Sequence, residues 1–411
     1  MLVSGSTRLE GQIMVSASKN AILPILAASM LSSGKVVIRH VPMIRDVHII
    51  SALIQQMGLK VDYSQNNLVI SGALQHHMPD YDLSRQIRAS FLLMGPLLAR
   101  MGQVQISLPG GCAIGTRPID LHLKGFEALG AAIQMTGGCV IATAPRLKGS
   151  HIYLDFPSVG ATENIMMAAA LARGTTYIEN AALEPEVVDL AGFINSMGGR
   201  VSSAGSNVIR VEGVGSLGAT TYTPIPDRIE AGTFMVAAAA TGGDVVINNV
   251  IPEHLKATTA KLIETGAGVE EQADMIRVSR WQEIRPTYIK TLPYPGFPTD
   301  MQAQFMAYLC AARGSSILTE SVFENRFMHV NEFLRMGARI TIEGRTAIIK
   351  GVPQLSGATV KATDLRAGAA LLIAALTANG PTIIEKSEHI DRGYENIVHK
   401  LNNLGGNIHR F

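Results

Sequence analysis

The stretch Val47-His48-Ile49-Ile50-Ser51-Ala52-Leu53-Ile54-Gln55-Gln56-Met57-Gly58 decides the architecture of this chain. Its apolar residues recur at helical spacing, and the glycine falls just past the last of them, where a helix stops. The same ending, a hydrophobic residue or Thr and then Gly, returns at Leu129-Gly130, Met197-Gly198, Thr265-Gly266, Met336-Gly337 and Leu404-Gly405. Successive glycines lie 72, 68, 68, 71 and 68 residues apart. Each except the last precedes residues that alternate like a strand. Six such coincidences at near-equal spacing mark an internal duplication with a unit of about 70 residues.

A second landmark has the same period. Each unit carries an Ala-rich, almost wholly apolar helix that closes at Gly34, Gly102, Gly174, Gly243, Gly314 or Gly380. A helix that is apolar all round has to be buried. β-rich runs such as Val36-Val37-Ile38 and Val245-Val246-Ile247 follow these glycines. One unit therefore reads strand, buried helix, strand, surface helix, strand, strand, with the buried helices side by side and sheets outside them. The last unit stops at Gly405-Gly406-Asn407-Ile408, where its strand pair should begin, and Met1 to Ser16 resembles the missing pair. Residues 1 to about 17 are thus expected to complete the sixth unit. This gives an α/β protein of two lobes, 18–226 and 227–411 plus 1–17, joined by crossings near Ser18 and Pro226. Such lobes can hinge over a cleft.

Composition narrows the function. The 411 residues are 47% hydrophobic and 17% charged, with a formal net charge of +2, enough for a large core and too long for one ordinary domain. That balance argues against a nucleic-acid surface, which shows as a basic excess. Three cysteines, Cys112, Cys139 and Cys310, form neither a disulfide framework nor a zinc spacing, so a reducing compartment is expected. The N-terminus reads as no signal peptide, and no apolar run is long enough to span a bilayer. A soluble cytoplasmic protein follows.

Charged residues recur at one place in the repeat. Counting back fourteen residues from the glycines that close the buried helices finds Asn20, Arg88, Gly160, Asp300 and Arg366; fifteen before Gly243 lies Arg228. Charge at the entrance of an apolar helix cannot lie in a core unpaired. Helix N-termini also offer free N–H groups and a positive dipole end, which suit phosphate or carboxylate. Lys19, Arg88, Arg228 and Arg366 could so ring an anion site, or else pair internally, Arg228 with Asp227 or Glu230 and Arg366 with Asp364. Thr299 reads as a helix cap with Asp300 in the first turn, and Asp391-Arg392 as the opening of the last surface helix. His122, His329 and His389 read as structural rather than metal-bound, and no metal site is expected. The loop Pro109-Gly110-Gly111-Cys112-Ala113-Ile114-Gly115-Thr116-Arg117-Pro118 sets a thiol among glycines and prolines, where a scaffold exposes chemistry.

These stretches together resemble the UDP-N-acetylglucosamine 1-carboxyvinyltransferase family of enolpyruvyl transferases. The likeness runs through Ser18-Lys19-Asn20-Ala21, Ile87-Arg88-Ala89-Ser90, the cysteine loop, Ser158-Val159-Gly160-Ala161-Thr162 and Pro226-Asp227-Arg228-Ile229-Glu230. It continues through Phe297-Pro298-Thr299-Asp300-Met301-Gln302, Phe323-Glu324-Asn325-Arg326-Phe327, Ala362-Thr363-Asp364-Leu365-Arg366 and Asp391-Arg392-Gly393-Tyr394-Glu395. The sister family acting on shikimate-3-phosphate shares the sixfold repeat without the cysteine loop.

The resemblance implies a two-lobed inverse α/β barrel with three repeats per lobe. It also implies transfer of enolpyruvyl from phosphoenolpyruvate to UDP-N-acetylglucosamine at the head of peptidoglycan synthesis, with no metal or organic cofactor. It makes Cys112 the general acid, Asp300 the residue that handles the sugar hydroxyl proton, and Lys19 and Arg392 catalytic cations. Lys19, Asn20, Arg117, Arg366 and Arg392 would bind phosphoenolpyruvate. Asn20, Arg88, Arg117, Pro118, Ile119, Asp120, Leu121, Ser158, Val159, Asp300 and Val322 would bind the sugar nucleotide. Phe156-Pro157 stands where some relatives carry a basic residue, which removes a charge contact there. A proton donor has to be a thiol rather than a thiolate, so Arg117 is assigned to substrate phosphate, and the loop is expected to order over bound substrate. The epoxide fosfomycin should then alkylate Cys112. No nucleic acid, membrane or obligate protein partner is implied. Two other readings share these features. An enolpyruvyl transferase with a different acceptor is opposed by Arg117 to Leu121, and an idle sugar-nucleotide binder by the retained Lys19, Cys112, Asp300, Arg366 and Arg392.

Overall fold

Six short helices, Lys19–Ser29, Met94–Met101, Val159–Ala169, Arg228–Ala240, Gln302–Leu309 and Leu365–Thr377, make the interior of the protein. A computed structural model describes residues 1–110 and 118–411. These helices are apolar on nearly every side because every side meets protein, as Ala237, Ala238, Ala239, Leu371, Ala374 and Ala375 illustrate. Alanine lets their axes approach closely, and Gly95 takes this furthest. A Cβ there would sit 2.5 Å from the Asn164 carbonyl oxygen of helix Val159–Ala169.

The described chain divides into two compact units, 1–16 with 226–411, and 17–110 with 118–225. Each has its own continuous apolar core of three helices, with three sheets around them. The sheets share one plan: an opening strand pairs parallel with the strand after the buried helix, and that strand pairs antiparallel with a hairpin. In the first repeat, Val36–Ile38 lies between Thr220–Tyr222, parallel, and the hairpin of Leu59–Ser64 and Asn67–Gly72. The surface helix before each hairpin ends at one of the six repeat glycines. Their φ values, 101°, 94°, 96°, 101°, 85° and 95°, fall in one narrow left-handed band. Only glycine takes that conformation without strain, which is why the residue recurs there.

Two expectations change. Residues 1–17 do not all complete the sixth repeat. Leu2–Val3 enters that sheet between Thr382–Glu385 and Ile408–His409, but Glu10–Met14 pairs parallel with Asp244–Asn248 and opens the fourth. A parallel edge strand is fixed by its neighbour rather than by its own pattern, so the sequence did not separate the two roles. The second repeat has a three-stranded sheet among the described residues. Where its opening strand would stand, helix Tyr81–Gln86 is capped by Asp80, whose carboxylate accepts from the Leu83 N–H at 2.7 Å. No helix of the described residues is long and apolar enough to cross a membrane.

Candidate active site

The first turns of the buried helices hold most of the charged residues singled out above. Lys19 begins Lys19–Ser29, Arg88 begins the 3-10 turn Arg88–Leu93, and Gly160 is second in Val159–Ala169. Arg228 begins Arg228–Ala240, Asp300 lies in the 3-10 turn Thr299–Met301, and Arg366 is second in Leu365–Thr377. A first turn presents backbone N–H groups that no helical carbonyl reaches, so anions gather there.

In the unit built from 17–225, Lys19 is nearly buried and its ammonium meets the Asp46 carboxylate at 2.8 Å. Asp46 stands in the first turn of helix Arg45–Gln56. Asn20, half-buried, follows Lys19. Arg88 lies close enough to His122 to act on it electrostatically. Burial, and secondarily that guanidinium, push the imidazole down to about 3. His122 is therefore neutral. Its Nδ1 accepts from the Asn164 amide at 3.1 Å, and that amide also donates to the Phe91 carbonyl. Ser158 caps the helix behind it, its hydroxyl accepting from the Ala161 N–H at a long 3.4 Å, and Val159 starts that helix. Pro118 and Ile119 lead into helix Asp120–Ala128, which Asp120 and Leu121 open. Cys112 and Arg117 lie outside the described residues, as does most of the loop expected to order over substrate.

In the unit of 1–16 and 226–411, Asp300 is the focus. Its Oδ1 accepts from Arg326 Nη2 at 2.7 Å and its Oδ2 from Arg366 Nη2 at 2.9 Å. Both guanidinium side chains are only 5% exposed. Burial alone would lower Arg366, but the Asp300 carboxylate raises it strongly, so it stays charged. Arg366 lies over the buried Tyr394 ring at 5.5 Å, and the Tyr394 hydroxyl is tied to Thr233 at 2.9 Å and to the Gln304 amide at 3.3 Å. Nη1 of Arg366 is buried and meets no hydrogen-bond partner among the described residues.

Glu320 orders the surrounding loops. It accepts from the Thr291 and Thr299 hydroxyls at 2.8 Å each, from Val322 N–H at 2.8 Å and from Phe323 N–H at 3.1 Å. Thr299 is thereby diverted from capping: it donates to Glu320 and accepts from Arg326 Nη1 at 3.0 Å. Asp364 is likewise no partner for the Arg366 guanidinium. It caps the helix, accepting from the Arg366 and Ala367 N–H groups. Glu230 is taken by Lys400 at 2.5 Å, and Arg228 lies 5.6 Å from the Tyr294 ring. Arg392 closes the 3-10 helix Ser387–Arg392 instead of opening the last surface helix, which is Ile397–Asn403.

Three residues without an assigned role thus stand against the singled-out ones, Asp46 on Lys19 in one unit, and Glu320 on Thr299 and Arg326 on Asp300 in the other. Arg326 lay within a stretch already singled out, but its partner is 26 residues away and only the fold joins them. Among the described residues no group of three or more His, Cys, Asp or Glu is arranged for a metal ion.

The family model of EPSP synthase (3-phosphoshikimate 1-carboxyvinyltransferase) matches residues 3–401. UDP-N-acetylglucosamine 1-carboxyvinyltransferase 2 of Carboxydothermus hydrogenoformans is 56% identical over all of this chain and 98% of its own. UDP-N-acetylglucosamine 1-carboxyvinyltransferase 1 of Caldanaerobacter subterraneus subsp. tengcongensis is 54% identical over 100% and 99%. Among solved structures, the enolpyruvyl transferase NikO from Streptomyces tendae superposes with a TM-score of 0.90 at 26% identity, covering 99% of this chain and 98% of its own. EPSP synthase from Acinetobacter baumannii, at 21% identity and a TM-score of 0.77 over 98% and 97%, shares the fold. A chain with this sixfold architecture and this full-length likeness belongs to the EPSP synthase family, in its UDP-N-acetylglucosamine 1-carboxyvinyltransferase branch.

Proposed function

We propose that this enzyme transfers the enolpyruvyl group of phosphoenolpyruvate to the 3-hydroxyl of UDP-N-acetylglucosamine and releases phosphate, the first committed step of peptidoglycan synthesis. The observation that carries the reaction is the buried pair of guanidiniums on Asp300, one of which has a nitrogen, Arg366 Nη1, that meets no acceptor among the described residues. Such a pair grips a carboxylate with geometric specificity. The choice of acceptor is supported by relatives that bear the name of that activity at 54% and 56% identity over the whole chain.

In the addition step the sugar hydroxyl oxygen bonds to C2 of phosphoenolpyruvate, its proton passes to Asp300, and Cys112 delivers a proton to C3. In the elimination step the bond from C2 to the phosphate oxygen breaks, C3 returns a proton to the Cys112 thiolate as the double bond re-forms, and phosphate leaves with the proton that Asp300 took from the sugar hydroxyl. Lys19, Arg117 and Arg392 hold the phosphate, while Arg366 and Arg326 hold the carboxylate. Cations already in place stabilise charge on the tetrahedral adduct without reorganisation. Asn20, Arg88, Pro118 to Leu121, Ser158, Val159 and Val322 bind the nucleotide and sugar. The neutral His122 supports this part of the site without adding charge to it. The sparse, odd cysteine set suits the cytoplasm. Phosphate release that requires both substrates tests the reading. Phosphate formed with shikimate-3-phosphate as acceptor, and none with UDP-N-acetylglucosamine, would overturn it.

A further inference from the structure

The two guanidiniums suited to the substrate carboxylate already hold one. Asp300 spans them, with one oxygen on Arg326 at 2.7 Å and the other on Arg366 at 2.9 Å. The cluster has a further counter-charge, since the Asp227 carboxylate also acts on Arg366. It also keeps a buried donor, Arg366 Nη1, without a hydrogen-bond partner among the described residues. A buried guanidinium N–H left unpaired is costly, and it marks where a further acceptor belongs. Asp300 is the most exposed member of the trio, its side chain 25% exposed against 5% for each arginine. It is the partner that can leave, because the arginines are pinned. Arg326 is fixed by Thr299, and Arg366 by the face of Tyr394, whose hydroxyl is tied to Thr233.

We infer that Asp300 occupies the carboxylate subsite as a stand-in, and that the substrate's carboxylate displaces it from Arg366 and so frees it to take the sugar hydroxyl proton. The inference rests on the function proposed above and adds a coupling to it. A carboxylate shared between two guanidiniums is a poor base, since both lone-pair directions toward them are engaged and its anionic form is favoured. Exchange of one carboxylate for another keeps both buried cations paired throughout, whereas breaking a buried pair outright leaves a buried charge uncompensated. Asp300 then gains basicity when the enolpyruvyl donor is bound, and in its absence cannot act on the sugar hydroxyl.

The test is equilibrium binding of phosphoenolpyruvate alone, followed by calorimetry, to the wild type, Asp300→Asn and Asp300→Ala. Methyl phosphate, which lacks the carboxylate, is the comparison ligand. With the stand-in removed, phosphoenolpyruvate should tighten by at least about tenfold while methyl phosphate changes by less than about threefold. Unchanged or weaker phosphoenolpyruvate binding in both variants, or an equal gain for methyl phosphate, overturns the proposal. If neither variant folds, a crystal structure of the wild type with phosphoenolpyruvate decides it. The proposal requires the substrate carboxylate on Arg366 and Asp300 withdrawn from it. Asp300 still bridging both guanidiniums refutes it. Wild-type turnover with both substrates is measured alongside, so that a failed coupling is told apart from a failed assignment of the reaction.

Discussion

His122 makes the enzyme acid-sensitive by an amount that follows from its surroundings. The ring is buried, edge-on to Phe91 at 5.1 Å, bonded through Nδ1 to the Asn164 amide and within reach of the Arg88 charge. Burial first, and Arg88 second, lower it to about 3 in the folded state, against 6.5 for a free imidazole. At about pH 7.5 neither state is protonated, so His122 contributes no pH dependence. As the pH falls below 6.5 the unfolded chain takes up a proton that the folded chain refuses, and stability drops. Between about pH 7.5 and 5 the loss is about 2 kcal/mol, the free energy of protonating an exposed imidazole over that interval. Replacing His122 by Gln removes the titration whatever else it does to stability. Urea unfolding of both proteins at the two pH values therefore isolates the effect: the wild type should lose about 2 kcal/mol more than His122→Gln. Parallel pH curves, or an NMR titration placing His122 near 6.5, would refute the buried neutral ring.

Three further outcomes follow from the packing and the site. Gly95→Ala drives a Cβ to 2.5 Å from the Asn164 carbonyl and should cost about 1–3 kcal/mol in urea unfolding, whereas Gly215→Ala, with nothing within 4 Å, should stay within about 0.5 kcal/mol. Arg326→Met removes one of the two guanidiniums on Asp300. It should raise KM for phosphoenolpyruvate by at least about tenfold while affinity for UDP-N-acetylglucosamine changes less, a split read directly from steady-state kinetics. Alkylation mapped by mass spectrometry should spare Cys310, which is buried and whose thiol burial pushes up to about 12, and should fall on Cys112 before Cys139. Modification of Cys310 in the folded enzyme would contradict that order.

The periodic features of the fold were legible because each repeat obeys a local rule. A helix that ends in left-handed glycine needs glycine whatever lies around it, and the six positions share one backbone conformation. Wholly apolar helices announce their burial for the same reason. Features set by distant partners were not legible. Thr299 has the form of a helix cap, yet Glu320, 21 residues on, takes its hydroxyl. Asp364 looked like a partner for the Arg366 guanidinium, but the backbone N–H groups of its own helix claim it. Arg326 carried no local sign of its place on Asp300, and Asp46 none of its place on Lys19. Repetition itself misled at the second repeat, where Asp80 caps a helix in the position of a strand. The sequence located the helix entrances that carry charge, while the pairing of those charges came from the fold.

The central claim is tested most directly by incubating the enzyme with phosphoenolpyruvate and UDP-N-acetylglucosamine, while following phosphate release and the mass of the nucleotide product together. The account predicts one phosphate for each UDP-N-acetylglucosamine that gains an enolpyruvyl group, and no phosphate when either substrate is left out. Phosphate release without the sugar nucleotide, or an unaltered sugar nucleotide after prolonged incubation, would contradict it.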